Sequence, residues 1–252
     1  MLKKRIIPTL LLKKGRMVKG RQFKDFKDTG DPVSAARIYN AQKADELVFI
    51  DIEASTNDRG LLFSIVEKVA EECFMPFTVG GGIKNLHDIK TMLRVGADKV
   101  LINTAALENP SLISSAADTF GNQCIVAGID VRRKENNWQI YTHGGQKNSR
   151  FALSEYLKIL QNRGAGEILV NSIDFDGMMS GYDLDLLRLV RSQTDCPIIA
   201  LGGAGNFQHL AEVLSTELAD AVACASLFHF GDNNPIRARA FLKNKGIAVK
   251  NI

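Results

Sequence analysis

The sequence predicts a single eight-fold (βα)8 barrel, and three observations carry that expectation. The chain has 252 residues, close to the roughly 250 typical of such barrels. Short β-rich runs alternate with amphipathic segments, the order of a parallel α/β fold. The chain also matches itself at an offset of about 120 residues, half its length, which marks an internal repeat.

The strand candidates are residues 6–11, 47–52, 77–79, 99–102, 124–130, 168–173, 198–201 and 221–224. Helical stretches lie between them. After the second strand, Leu61, Leu62, Ile65, Val66, Val69, Ala70 and Cys73 recur at the spacing of one helix face. Asp31-Pro32 reads as an N-cap followed by proline at the first helical position. Gly96 and Gly164 stand where helices should stop. Eight strands and eight helices in this order favour a barrel over an open sheet. No stretch reads as a linker, so residues 1–252 form one domain.

The repeat is visible at four places. Residues 44–48 (ADELV) match 165–169 (AGEIL), and 79–82 (VGGG) match 201–204 (LGGA). Residues 99–104 (KVLINT) match 221–226 (AVACAS), and 5–11 (RIIPTLL) match 124–130 (CIVAGID). Two half-barrels follow, about 1–121 and 122–252.

Bulk properties exclude several classes. A net charge of +4 is too small and too dispersed for a nucleic-acid surface, although it suits small anions. The N-terminal apolar run spans only residues 6–12, contains Pro8 and has no small-residue cleavage site after it. No stretch reaches the roughly 18 apolar residues of a membrane span. The four cysteines, Cys73, Cys124, Cys196 and Cys224, lack metal or redox spacing and read as buried thiols. A cytoplasmic protein without metal or cofactor is expected.

Chemistry should sit at the C-terminal ends of the strands. Gly80, Gly81 and Gly82 end the third strand, and Gly202 and Gly203 the seventh. Lacking Cβ atoms, such residues let backbone N–H groups approach a phosphate. Asn103-Thr104 and Ala225-Ser226 end the neighbouring strands. Because the repeat doubles this arrangement, the expected ligand carries a phosphate at each end; the alternative is that the glycines only make tight turns. Asp130 ends the fifth strand, Asp51 lies in the second, and Asp174 and Asp176 follow the sixth. A rim carboxylate is a candidate acid or base, or else a cap for the next loop. Asp130's counterpart in the first half is Leu11, so the acids are not symmetric. Lys19, in a loop after the first strand, could reach a phosphate. Residues 138–143, with the only tryptophan, Trp138, read as a flexible lid, and His143 has no catalytic role. At the opposite face Arg5, Glu46, Lys99 and Glu167 stand at strand starts. They form either a stabilising ion-pair ring or a gate to an axial passage.

The segments RIIP, KKGRMVKG, GDPV, ADELVFIDI, VGGGI, INTAALENP, IDVRR, YTHGG, GAGEILVNSIDFDG, ALGGAG and SLFHF resemble the HisF family, the cyclase subunits of imidazole glycerol phosphate synthase. The resemblance runs from Met1 to about Phe230. It implies a HisH-like glutaminase docked on the N-terminal face and ammonia passing along the barrel axis. It also implies a bisphosphorylated aminoimidazole-carboxamide ribonucleotide at the C-terminal face, converted to imidazole glycerol phosphate and a second ribonucleotide. By this resemblance Arg5, Glu46, Lys99 and Glu167 match the ammonia gate. Lys19, Asp51, Gly81, Gly82, Asn103, Thr104, Asp176, Gly177, Gly202, Gly203, Ala225 and Ser226 match ligand- and phosphate-binding positions. Asp130 matches one of two catalytic aspartates.

The other aspartate falls at Leu11, in IIPTLLLKKG rather than IIPCLDVKDG, and Leu201 stands where the family usually has serine. Leucine cannot move a proton. The LLL form of the first strand is similar to a HisF-like branch associated with surface-polysaccharide genes. Those proteins work with a HisH-like glutaminase and an amidotransferase that places an acetamidino group on a sugar. The sequence therefore leads to that role first. A histidine-pathway cyclase, a lyase relying on Asp130 alone, is the alternative. A non-catalytic phosphate-sensing activator of the glutaminase is a third reading.

Overall fold

The computed structural model describes residues 3–53, 60–135 and 137–251. Leu61 of the predicted helical stripe lies outside the described side chains.

Eight parallel strands close on themselves. In chain order they are β1 (Arg5–Lys13), β4 (Leu47–Asp51), β5 (Phe77–Gly80), β6 (Lys99–Ile102), β7 (Ile125–Lys134), β10 (Glu167–Ser172), β11 (Ile198–Leu201) and β12 (Ala221–Cys224). Each pairs with the next, β12 returns to β1, and β7 pairs with β10, so the barrel has no edge. All eight lie within a residue or so of the predicted strands, except that β1 and β7 run on past the barrel rim.

Those extensions are what sequence patterning missed. β1 turns back antiparallel into β2 (Arg16–Arg21) and β3 (Lys24–Gly30). β7 likewise continues into β8 (Asn137–Thr142) and β9 (Lys147–Ala152). The expected flexible lid at 138–143 is thus a hydrogen-bonded strand, and Lys19, expected in a loop, lies in a strand. Strands so rich in lysine, arginine and asparagine give little apolar–polar alternation, and for that reason they read as loops.

Eight helices pack outside: α1 (Pro32–Ala41), α2 (Gly60–Glu72), α3 (Leu86–Arg94), α5 (Ser111–Phe120), α6 (Leu153–Asn162), α7 (Leu184–Gln193), α8 (Phe207–Ser215) and α10 (Pro235–Asn244). Two short ones, α4 (Thr104–Glu108) and α9 (Ser226–His229), follow β6 and β12 directly. The Asp31 side chain accepts from Ser34 N at 2.7 Å with Pro32 at the first turn, as the sequence predicts. Gly96 and Gly164 take positive φ just beyond α3 and α6. Cys73, Cys196 and Cys224 are buried thiols, but Cys124 is half-buried, because it precedes β7 instead of beginning it.

Strand periodicity separates two cores. Ile6, Leu10, Leu47, Phe49, Phe77, Val79, Val100 and Ile102 face outward and pack on the helices. The alternate residues Ile7, Val48, Leu101, Val126, Leu169, Ile199, Leu201 and Ala223 fill the barrel interior. Full burial of one such aliphatic side chain contributes about 1.5–3 kcal/mol. The interior column is capped by polar groups at both ends.

Candidate active site

At the N-terminal end, four charges form a closed ring. Arg5 bonds Glu46 at 2.8 Å and also Glu167; Lys99 bonds Glu46 at 3.0 Å and Glu167 at 2.8 Å. Thr78 Oγ1 donates to Glu46 at 2.8 Å, an interaction the sequence did not suggest. Glu46 is 3% exposed. Burial works against the Arg5 charge, but Glu167 and Glu46 outweigh it and hold its pKa above the ordinary value. The structure therefore brings all four predicted residues together. Each cation touches both anions, which balances the charges of the ring.

At the C-terminal end, Asp130 is the centre. It is recessed in the mouth, in register with Asn171 on the neighbouring strand. Asn103 Nδ2 donates to one carboxylate oxygen at 2.7 Å and Asn171 Nδ2 to the other at 3.0 Å. Burial pushes the pKa up to about 6, Asp176 adds to the rise, and the two amides oppose it. A carboxyl poised there both accepts and releases protons near neutral pH. Asn171 was not expected from the sequence. Its signal was parity: it shares the inward face of β10 with Glu167 and Leu169.

Lys19 and Asp176 form a buried ion pair at 2.6 Å, and Gln22 N donates to Asp176 O at 2.8 Å. The β2–β3 hairpin is thereby fixed to the loop after β10, with Gly177 in that loop at positive φ. Asp174, by contrast, receives Arg133 N at 2.7 Å and lies by Arg132. It anchors the β7 extension. Asp51 accepts from Glu53 N at 2.9 Å at the end of β4.

The glycine turns are conformationally required. Gly81 has φ +105°, and a Cβ there would lie 2.2 Å from Asp51 O; Gly203 has φ +106°, and its Cβ would meet Gly181 O at 1.8 Å. Gly82 and Gly202 also take positive φ. Asn103 precedes α4, and Ala225, followed by the buried Ser226, opens α9. The Thr104 hydroxyl accepts from His143 N at 3.2 Å, so the β8–β9 turn rests on the start of α4. Leu11 is half-buried and shares β1's inward parity with Arg5 and Ile7; Leu201 is 8% exposed in the interior column. Among the described residues no group of three or more His, Cys, Asp and Glu side chains is arranged to hold a metal, and no helix is long and apolar enough to cross a membrane.

A closed barrel with an ion-pair ring at one end and an amide-held carboxyl at the other places the chain among the (βα)8 barrel proteins, and comparison narrows it. The model of the histidine biosynthesis protein family matches residues 5–234. The chain is also 49% identical over 252 residues, all of both chains, to imidazole glycerol phosphate synthase subunit HisF of Hyphomonas neptunium (strain ATCC 15444). This chain belongs to the HisF family.

Proposed function

We propose that this chain is the cyclase-type subunit of a glutamine-dependent imidazole glycerol phosphate synthase. The observation that carries the reading is the Asp130 carboxyl, held by two amides with its pKa raised to about 6, in a chain that matches a HisF protein over its full length. Ammonia from a HisH-like glutaminase enters at the Arg5–Glu46–Lys99–Glu167 ring and meets the ligand at the mouth. Asp130 moves the protons of ring closure as nitrogen joins the ribonucleotide. Gly81, Gly82, Asn103 and Thr104 hold one phosphate, and Gly202, Gly203, Ala225 and Ser226 the other. Lys19, Asp51, Asp176 and Gly177 complete the ligand site. Hairpins after β1 and β7 and short helices after β6 and β12 support two half-barrels, about 1–121 and 122–252. The same proposal places the complex in the cytoplasm.

One observation favours a second reading. Leu11 and Leu201 face the mouth where the family resemblance implies an aspartate and a serine, while the entrance ring is complete. A subunit that passes ammonia to acetamidino modification of a surface-polysaccharide sugar, alongside a sugar amidotransferase, fits that division. The full-length match to a protein named for the synthase supports the histidine reading more strongly.

The test is turnover of the bisphosphorylated imidazole precursor by purified protein in concentrated ammonium salt, which removes the need for the glutaminase. Turnover abolished by Asp130→Asn is expected. Binding without turnover would overturn the cyclase reading and leave sugar amidation, or phosphate sensing that only activates the glutaminase.

A further inference from the structure

The ribbon that rises from β7 has two faces, and its register fixes what each carries. β7 and β8 run antiparallel, with Asp130 paired to Tyr141, Val131 to Ile140, Arg132 to Gln139 and Arg133 to Trp138. Directly paired residues send their side chains to the same face, and the faces alternate along each strand. Val131 and Ile140 are fully buried in the outer core, so their face turns to the helices. Trp138 belongs to that face, its Nε1 donating to Asp183 at the start of α7 at 3.3 Å. The opposite face, with Asp130 at its base, therefore stands over the mouth, and it carries Tyr141 and Arg132.

Tyr141 is half-buried there. The Arg132 guanidinium lies 5.1 Å from the centre of its ring, and Arg132 Nε is 3.6 Å from Asp174 Oδ1. A cation over the ring, with a carboxylate behind the cation, holds the aromatic plane in place. A braced and partly exposed ring next to the acid–base group is a surface on which a planar ligand can stack. Strand order says which part of the ligand reaches it. Around the barrel the sequence is β5, β6, β7, β10, β11 and β12, so the phosphate sites proposed at β5–β6 and at β11–β12 flank the seam of β7 and β10. A ligand spanning both sites brings its middle past Asp130 and under Tyr141. In the bisphosphorylated precursor that middle is the carboxamide-bearing imidazole.

We propose that Tyr141, braced by Arg132, is the stacking platform that receives the planar heterocycle of the ligand above Asp130 and so determines specificity for it. The inference rests on the synthase reading and deepens it.

The test is calorimetric titration of the full-length protein with the bisphosphorylated imidazole precursor, which reads affinity whether or not the ligand turns over. Tyr141→Ala should weaken binding by about tenfold or more, and Tyr141→Phe, which keeps the ring, should bind as wild type does. Arg132→Ala should weaken it by about threefold, through loss of the brace. Arg133→Ala removes the matching contact on the outer face of the same ribbon, where the guanidinium lies 5.3 Å from the centre of the Trp138 ring, and should leave affinity unchanged. In ammonium-driven turnover Tyr141→Ala should raise KM and leave kcat nearly unchanged, whereas a ribbon that merely misplaced Asp130 would lower kcat. Affinity unchanged in Tyr141→Ala, or lost equally in Tyr141→Phe or in Arg133→Ala, overturns the proposal. Wild-type binding without turnover removes the cyclase reading but, with the expected pattern of affinities, leaves the platform standing. No binding by the wild-type protein overturns both.

Discussion

Asp130 and Asn171 occupy partnered positions on adjacent parallel strands, and the Asn171 amide reaches the Asp130 carboxylate at 3.0 Å. Through that contact the register of β7 on β10 sets the acidity of the mouth. A hydrogen bond to a charged group is worth about 1.5–3 kcal/mol, and one pKa unit corresponds to about 1.36 kcal/mol. Asn171→Leu removes a bond that favours the carboxylate, so the Asp130 pKa should climb from about 6 by about one to two units. Carboxyl-carbon NMR titration of Asp130 would check this. An unmoved titration would show that the amide positions the side chain without tuning it.

The same raised pKa makes a statement about stability. Asp130 titrates higher in the folded chain than the ordinary 3.8. Its protonated form therefore contributes stability that is fully present below about pH 4 and is lost as pH rises through about 6. Above pH 7 the buried charge is a burden. Asp130→Asn should raise stability by on the order of 2 kcal/mol at pH 8 and by much less at pH 4. Asn103 and Asn171, whose Oδ1 atoms have no partner, can turn an acceptor toward the new amide. Denaturant melts at the two pH values would check it, and an equal effect at both would mean that the charge is not the cause.

Glu46 is the most buried member of the entrance ring and receives Arg5, Lys99 and Thr78. Glu46→Ala leaves two cations facing each other with one anion between them. Breaking a buried pair commonly costs 3–5 kcal/mol, and because Arg5 and Lys99 are 24% and 18% exposed the lower figure, about 3 kcal/mol, is expected. Lys99→Met also leaves one uncompensated charge, but it should cost clearly less, because the lost cation is nearer solvent than Glu46, 18% against 3% exposed. Equal costs would indicate that hydration, not pairing, dominates the ring.

The barrel strands were legible because each obeys one strong rule, a short apolar run between turn residues. The ring was legible too, since Arg5, Glu46, Lys99 and Glu167 are charged residues abutting such runs. The hairpins were not, because Lys19 and Trp138 sit in polar strands whose pairing depends on β1 and β7 outrunning the rim. Neither was the partnership of Asn103 and Asn171 with Asp130. Asn171 adjoins Asp130 only after the barrel closes between β7 and β10, and sequence spacing carries no trace of that register.

Leu11 offers the sharpest functional contrast. It is half-buried, shares the inward face of β1 with Arg5 and Ile7, and lies in register with Ile50 on one side and Val18 on the other. A carboxylate there would leave apolar neighbours for the open mouth, so Leu11→Asp should lower stability by about 1–3 kcal/mol, as burial of a charge at a partly exposed site does. A positioned acid–base group commonly contributes 10²–10⁴-fold to rate. If the chain is a cyclase working on Asp130 alone, ammonium-driven turnover should rise by at least tenfold in Leu11→Asp and vanish when Asp130→Asn is added. A rise would mean that phosphate ends, hairpins and Asp130 are already set for cyclisation and lack only a second proton carrier. A variant that stays folded, binds the precursor and turns over no faster would mean that the mouth has been reshaped beyond Leu11, with Leu201 the next residue to exchange.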